Sequence, residues 1–434
     1  MNVIFFALVL IAFGTAAWRQ LVGSAPPEAS PMAALTRAAV DSAAGAVELA
    51  IGLVGVMALF LGLMKIAEAG GLLRILARLI RPLMVRLFPE VPPEHPAMGA
   101  MILNFSANML GLGNAATPFG IRAMQELDTL NRHPGTASNA MVLFMAINTS
   151  SLTLLPTGVI ALRSSAGSAD PAGILPTTLF ATLCATTVAV LAAFFFRRFF
   201  PLGAGEARAV AFEAAAPPAD AASESEAPSL PEAAGAYPLW VSLLALAAFL
   251  ALIPLTLVYG AVISPWIIPA LILGFLSFGV ARRVPVYEVF VEGAKDGFQV
   301  ALKIIPYLVA ILVAVGLLRA SGALEAFVTV VGQWTGQLGM PAEALPMALL
   351  RPLSGSGAYG VMSSIISDPA TGPDTYVGYL VTTLQGSTET TFYVLAVYFG
   401  AVQIRRLRHA LPAALSADLA GVIAAVVAVS WMFG

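Results

Sequence analysis

The chain has one cysteine, Cys184, among 434 residues. That excludes an intrachain disulfide and any cysteine-based metal site. Histidine is almost as scarce: His95, His133 and His409 stand far apart, without the spacing of metal ligands, so no metal is expected. Charged residues make up 11% of the chain, against about 25% in soluble proteins. The formal net charge of −2 is wrong for a nucleic-acid binder, which needs a basic surface. Enzyme motifs are missing as well. There is no Walker A sequence, which argues against ATP-driven transport by this chain alone. There is no His-Glu-x-x-His and no Gly-x-Ser-x-Gly elbow, and Gly355-Ser356-Gly357 is too short to stand for either. An intramembrane hydrolase would need a nucleophile–base pair, and none is recognisable. The chain is not expected to be an enzyme or to hold a cofactor.

What is present is apolar. Hydrophobic residues make up 59% of the chain, and the mean hydropathy is +0.88. Several runs reach the roughly 20 residues needed to cross a bilayer. The expected fold is an all-α polytopic membrane protein, with the lipid bilayer as its first partner. Residues 2–17 are apolar, but no basic residue precedes them after Met1, so they suit an uncleaved first membrane helix better than a secretory signal. Residues 201–236 form a linker rich in Ala, Pro, Ser and Glu, with six acidic residues against the single Arg208. Such a segment cannot bury enough apolar surface to fold and is expected to be disordered. It divides the chain into membrane halves 1–200 and 237–434.

The same order of elements recurs in each half. The first half has a span at 44–64, an amphipathic segment 72–88, an Asn- and Gly-bearing stretch 96–126, a polar-centred helix 138–160 and a plain span 175–196. The second half adds two extra spans, 238–258 and 265–280. It then repeats the order with a span 299–319, an amphipathic segment 323–338, a stretch 344–367, a polar-centred helix 375–400 and a plain span 411–432. Gly70-Gly71 and Ser321-Gly322 close the first span of each series. The polar centres align without a gap at a separation of 237 residues, Asn148 with Gln385, Ser150 with Ser387, Ser151 with Thr388 and Thr153 with Thr390. Buried polar groups are costly in lipid and persist where they face protein, water or a ligand. A chain that repeats this cost is building a site between its halves.

Charge placement orients the repeats. Lys and Arg favour the cytoplasm, so Arg197-Arg198, Arg282-Arg283 and Arg405-Arg406-Arg408 are expected inside, with the linker. The plain span 175–196 then ends inside while 411–432 starts there, and the repeat is inverted. The segment 72–88 carries Arg74, Arg78, Arg81 and Arg86, as a cytoplasmic interfacial helix should, whereas 323–338 carries no basic residue. Arg19 and Arg37 fall outside, against the rule. An odd number of crossings is needed between residues 88 and 174. The simplest solution makes 96–126 a re-entrant hairpin turning near Gly111-Leu112-Gly113-Asn114. Its counterpart 344–367 turns around Ser354-Gly355-Ser356-Gly357. The result is about nine spans, two hairpins and two discontinuous helices in an inner (cytoplasmic) membrane.

The residues at these places resemble known families. NFSANMLGLGNAATPFGIRAM resembles the spore maturation protein A family. KDGFQVALKIIPYLVAILVAVGLLRASGAL, LLRPLSGSGAYGVM and LQGSTETTFYVLAVYFGAV resemble the spore maturation protein B family. The resemblance covers nearly all the chain except the linker, with residues 1–200 similar to the first and 237–434 to the second, as in a natural fusion. Both families belong to the nucleoside-recognition, or gate, superfamily. The order of elements is also similar to the concentrative nucleoside transporters, and this implies an elevator-type motion without naming a substrate.

Candidate site residues follow from the polar positions. Asn104, Ser106 and Asn108 lie in the first hairpin, with Asn104 and Asn108 on one helical face, and Asn114 and Thr117 at or beyond its tip. Asn148, Thr149 and Ser150, and Gln385, Ser387, Thr388 and Thr390, lie at helix breaks, where freed carbonyls and helix ends can coordinate Na⁺ or orient a polar solute. Ser354 and Ser356 lie in the second hairpin. Glu389 is an acid within a span, aligned with Leu152, and is expected to bind a coupling Na⁺ or H⁺, to neutralise a cationic group, or to pair with Arg351. Glu48 and Lys303 occupy matching places in equivalent spans and are expected to form a structural ion pair. The expected function is ion-coupled secondary transport of a small polar solute, by a chain expected to form a homo-oligomer as elevator carriers do. A non-transporting scaffold or regulator in spore or cell-envelope maturation is the alternative.

Overall fold

In a computed structural model, the structure describes residues 2–23, 30–111, 113–151, 153–201 and 237–434. The described residues hold no strand, only an isolated bridge between Thr136 and Arg406. The expectation of disorder for 201–236 falls, but for Pro201, outside them. The first half comprises α1 (Asn2–Val22), α2 (Pro31–Ala69), α3 (Leu72–Leu87), α4 (Pro96–Met109), α5 (Gly113–Thr129), α6 (Asn139–Ser150), α7 (Thr157–Ser165) and α8 (Leu175–Phe196). The second comprises α9 (Leu239–Ala281), α10 (Val286–Ser321), α11 (Ala323–Thr335), α12 (Leu345–Leu350), α13 (Gly355–Ile366), α14 (Tyr376–Ser387), α15 (Thr391–Ala401) and α16 (Ala410–Phe433). The stretches Phe5–Val22, Leu175–Phe199 and Ala410–Phe433 are long and apolar enough to cross a membrane. The fold is that of an all-helical, multi-pass membrane protein.

Local sequence sets the corners. Gly71 and Gly322 adopt φ of 84° and 79°, a left-handed conformation that favours glycine. They turn α2 into α3 by 69° and α10 into α11 by 76°. Pro96 opens α4, and the His95 ring Nδ1 accepts from the Ala97 N–H at 3.2 Å. Ser138 caps α6 and Thr375 caps α14 through their hydroxyls.

Three features differ from expectation. Helices α2 and α10 run for 39 and 36 residues, well past the spans 44–64 and 299–319. Apolarity marks only the part in lipid; the helix continues until a cap or glycine stops it, at Ser30 and Gly70 in α2. The spans 238–258 and 265–280 are joined in α9, a single helical run of 43 residues. It is not straight. The Tyr237 N–H, just before it, donates to the Arg78 carbonyl on α3. At its other end, Phe278 lies against Gly70, where α2 meets α3. A straight run would separate these ends by about 64 Å, so the chain reverses between them, as two spans would. Finally, the turn of the second helix pair lies at 351–354, earlier than expected. Pro352 follows the end of α12, and Ser354 caps α13 by accepting from the Gly357 N–H at 3.0 Å, so Gly355, Ser356 and Gly357 form the first turn of α13.

The two largest apolar clusters among the described residues hold most of the bundle together, and both halves contribute to each. One joins α3, α4, α5 and α6 to α15 and the start of α16. The other joins α7 and the start of α8 to α12, α13, α14 and the end of α16. The α4–α5 pair therefore packs on α15 of the opposite half, whereas α12–α13 packs on α14 of its own half and meets α7 at Gly158 and Tyr359. The contacts are close: a Cβ on Gly120 of α5 would meet the Tyr398 hydroxyl at 2.1 Å, and one on Gly158 of α7 would meet the Tyr359 hydroxyl at 2.4 Å.

The loops gather at two ends. At one, the Arg405 and Arg406 N–H groups donate to the Gly135 carbonyl, and Arg408 reaches the carbonyls of Ala137 and Phe200. His409 is buried there; burial first, then the charges of Arg408 and Arg197, push its imidazole down to about 4. At the other end Arg163, fully buried, pairs with Asp374 at 3.0 Å and lies 4.2 Å over the Tyr379 ring. Arg319 pairs with Asp368 at 2.8 Å, and Arg19 donates to the Ser321 carbonyl at 2.9 Å.

Candidate functional site

Both polar-centred helices are broken, and the breaks meet. The first runs from Ser151, whose φ of 42° is left-handed, to Pro156 before α7. The second covers Thr388, Glu389 and Thr390 between α14 and α15. The Glu389 N–H donates to the Thr149 carbonyl at 2.9 Å, so the backbone freed in one half is satisfied by the other. Each break is also tied to the turn of its own helix pair. The Leu154 N–H donates to Met109 at 3.0 Å, and the Phe392 N–H donates to Pro352 at 3.0 Å.

The first break is finished with neutral groups. Thr182 on α8 donates to the Ser150 carbonyl at 3.1 Å and also to the Ser151 carbonyl. The Ser150 hydroxyl binds Thr186 at 3.0 Å, and those of Ser151 and Thr153 are 2.8 Å apart. Beside it an amide network crosses between the halves. Asn108 donates to Asn148 Oδ1 at 2.9 Å, and Tyr398 of α15 donates to the same oxygen at 3.4 Å. Asn104 donates to the Tyr398 hydroxyl at 3.1 Å and to the Ala116 carbonyl at 2.8 Å.

The second break is finished with charge. Arg351, in the turn after α12, donates to the Thr388 carbonyl and to the Thr390 hydroxyl at 3.1 Å. Its guanidinium lies 3.6 Å from Glu389 Oε2; the arginine side chain is 6% exposed and the glutamate 47%. The Thr391 hydroxyl, at the start of α15, donates to Asp418 Oδ2 at 2.7 Å.

The structure thus brings together Asn104, Asn108, Asn148, Thr149 and Ser150 around the first break, and Arg351, Thr388, Glu389 and Thr390 around the second. Other candidates turn inward on their own helices. The hydroxyls of Ser106 and Ser387 donate to the carbonyls of Ile102 and Leu384, as the Thr149 hydroxyl does to Ala146 while its carbonyl serves the break. Ser354 serves as a cap, and Ser356 is half-buried in the first turn of α13. Gln385 is buried, and its Oε1 has no partner among the described residues. Thr117 is half-buried beside Ala116 on α5. The side chains of Asn114 and Lys303 lie outside the described residues, while Glu48 is exposed on α2, so the pairing of Glu48 with Lys303 lies outside them too.

Sequence reasoning missed six residues. Thr178, Thr182 and Thr186 recur every fourth residue on α8, a stripe that a search for hydroxyls at helical spacing would find. Asp418 stands in a span that was read as plain, although an acid there is itself a signal. Tyr398 and Arg163 carry no local pattern; only their partners, about 250 and 211 residues away, reveal them.

A family model described as nucleoside recognition, the Gate model, matches the chain twice, over residues 50–166 and 301–405. The chain belongs to the Gate family. The two Gate matches fall on corresponding elements, from the first long helix through the helix–turn–helix pair to the broken helix, while α8 and α16 lie beyond them. Spore maturation protein B of Bacillus subtilis (strain 168) is 47% identical over 167 residues, 38% of this chain and 93% of that protein. Spore maturation protein A of the same organism is 45% identical over 166 residues, 38% of this chain and 85% of that protein. The Gate protein therefore has the make-up of a fusion of two such chains. No solved structure matches it.

Proposed function

We propose that this Gate protein is a secondary transporter of a small polar solute, driven by Na⁺ or H⁺ and working by an elevator-type motion. One observation carries the reading. Two broken helices meet end to end through Glu389 and Thr149, each held by a helix–turn–helix pair, in a chain of membrane-spanning helices. Irregular backbone at membrane depth is tolerated where it lines a site. In this reading the polar breaks bind the solute, and Glu389, the half-exposed acid, neutralises a cationic group or takes the coupling ion. Helices α1, α2, α9 and α10 form the frame, which also suits a homo-oligomer contact. A cavity of about 510 Å³ lies between that frame and α13, lined by Ser42, Gly316, Arg319, Ser363, Ser367 and Asp368. Its size suits a small ligand. It borders α13 and does not lie between the two helix–turn–helix pairs.

The same reading sets the chain in the inner membrane as nine spans in inverted repeats, the pairs α4–α5 and α12–α13 being re-entrant hairpins. The basic end of the bundle, with Arg197, Arg405, Arg406 and Arg408, faces the cytoplasm together with the linker 201–236. Residues 1–200 are the half similar to spore maturation protein A, and residues 237–434 the half similar to protein B. The family's description supports a nucleoside-like solute, and the relatives' names support one connected with spore maturation.

A scaffold or regulator without transport is the second reading. It is favoured by the amide network, in which Asn104, Asn108 and Asn148 spend hydrogen bonds on Tyr398 and on each other. The test is a thermal-shift screen of the purified protein against nucleosides, amino acids, cell-wall fragments and monovalent cations, since ligands that bind only the folded state raise its stability. Hits are then followed into uptake by proteoliposomes. Transport predicts a stabilising solute, ion-dependent uptake, and loss of uptake or of its ion dependence in Glu389→Gln. No stabilising ligand and no uptake would leave the scaffold; intact coupled uptake in Glu389→Gln would remove Glu389 from the mechanism.

A further inference from the structure

Asp418 lies in α16, outside both Gate matches. It is 6% exposed. Oδ2 accepts from the Thr391 hydroxyl at 2.7 Å, and Oδ1 has no hydrogen-bond partner among the described residues. Helix α16 passes close to the second break, where a Cβ on Gly421 would meet the Thr388 side chain at 2.7 Å. The surroundings supply little to balance a negative charge. Helix α6 carries no titratable residue and α8 only Cys184. On α14, Tyr376 and Tyr379 are held at the far end of α16, against Ser430 and Phe433. On α15, Tyr398 is engaged with the amide network, and Tyr393 is partly exposed. The charges of the break are Arg351 and Glu389, which face each other at 3.6 Å. A carboxylate with a bare oxygen in this setting is costly, and a proton on that oxygen removes the cost.

We propose that Asp418 is a proton-binding site of this protein, carrying its proton on Oδ1 while Oδ2 accepts from Thr391. Among the described residues, the oxygens in contact here are two of one carboxyl and a hydroxyl that donates to it, too few for a bare Na⁺, so a proton is the ion the site takes. Thr390 and Thr391 are neighbours, one held by Arg351 and the other by Asp418. With the proton bound, the guanidinium of Arg351 stays on the Thr388 carbonyl, Thr390 and Glu389, and the second break is clamped to the turn of its helix pair. When the proton leaves, the new carboxylate attracts Arg351 away from those acceptors, and the clamp loosens. Proton release and the freedom of the helix pair are thereby linked. The purpose of this link rests on the transport reading, but its test does not.

The test is infrared spectroscopy of the full chain in lipid nanodiscs, without solute, from pH 5 to 10. The wild type is expected to show a carboxylic-acid C=O band that disappears in alkali, is lost in Asp418→Asn and is retained in Asp418→Glu. Identical bands in the wild type and Asp418→Asn would overturn the proposal. If Asp418→Asn does not fold, Thr391→Val keeps the acid but removes the donor to Oδ2; the band should then move to higher frequency, and an unmoved band would also overturn it. Failure of uptake with the band present would reject the transport reading and leave the proton site standing. Uptake without the band would do the reverse.

Discussion

The two breaks share a backbone plan and differ in the chemistry that completes it. At the first, the Thr182 hydroxyl from α8 satisfies the freed carbonyls and Thr186 accepts from the Ser150 hydroxyl, with no charged side chain taking part among the described residues. At the second, an arginine from the turn of the helix pair satisfies them, and two acids stand by. Neutral hydroxyls fix a geometry whatever the pH or ion. A buried charge fixes it only while its partners keep their own charge, so it can be switched. The difference assigns rigidity to one break and responsiveness to the other.

The sharpest way to break the comparison is Arg351→Met. It strips the Thr388 carbonyl and the Thr390 hydroxyl of a charged donor, and a loss of about 3 kcal/mol is expected, the upper end for hydrogen bonds to a charged group. Thermal or denaturant unfolding in detergent measures it. Thr182→Val removes the neutral counterpart and should cost about 1–3 kcal/mol, the desolvation of stranded carbonyls. If the two losses were equal, charge would make no difference to how the breaks are held. Tyr398→Phe takes out the hydroxyl shared by Asn104 and Asn148 and should cost about 1 kcal/mol. Glu389→Gln should change stability by no more than about 1 kcal/mol, because its carboxylate is half exposed. Away from both breaks, His409 supplies a reference. Its imidazole is lowered to about 4 from an ordinary value of about 6.5. The unfolded chain therefore takes up a proton first, and stability should fall as the pH drops from about 6.5 to about 4. His409→Gln should flatten that part of the pH–stability curve.

The sequence made the order of elements readable because lipid imposes a coarse grammar. A span needs an apolar run, a turn needs glycine or proline, and a polar residue inside a span needs a reason. Gly70-Gly71, Ser321-Gly322 and the stretches at 148–153 and 385–391 obey it, and the structure has corners and breaks there. The grammar fails where partners lie far apart in the chain. Nothing around Tyr398 announces that its hydroxyl will meet Asn104 and Asn148. Ser106 and Ser387 look like ligands in sequence, yet each finds an acceptor on its own helix. Asp418 was legible but was averaged into the apolarity of its span.

The exchange of packing between halves also bears on why there is one polypeptide. The α4–α5 pair rests on α15, α7 rests against α13, and the Glu389–Thr149 hydrogen bond spans the centre. These contacts make the two halves a dimer in all but connectivity, with an interface as intimate as a domain core. Proteolysis within 202–236 is therefore expected to leave them co-purifying. The tether then acts on stoichiometry and speed of assembly, by keeping each half at high local concentration for the other, and adds little to the strength of their association once it has formed.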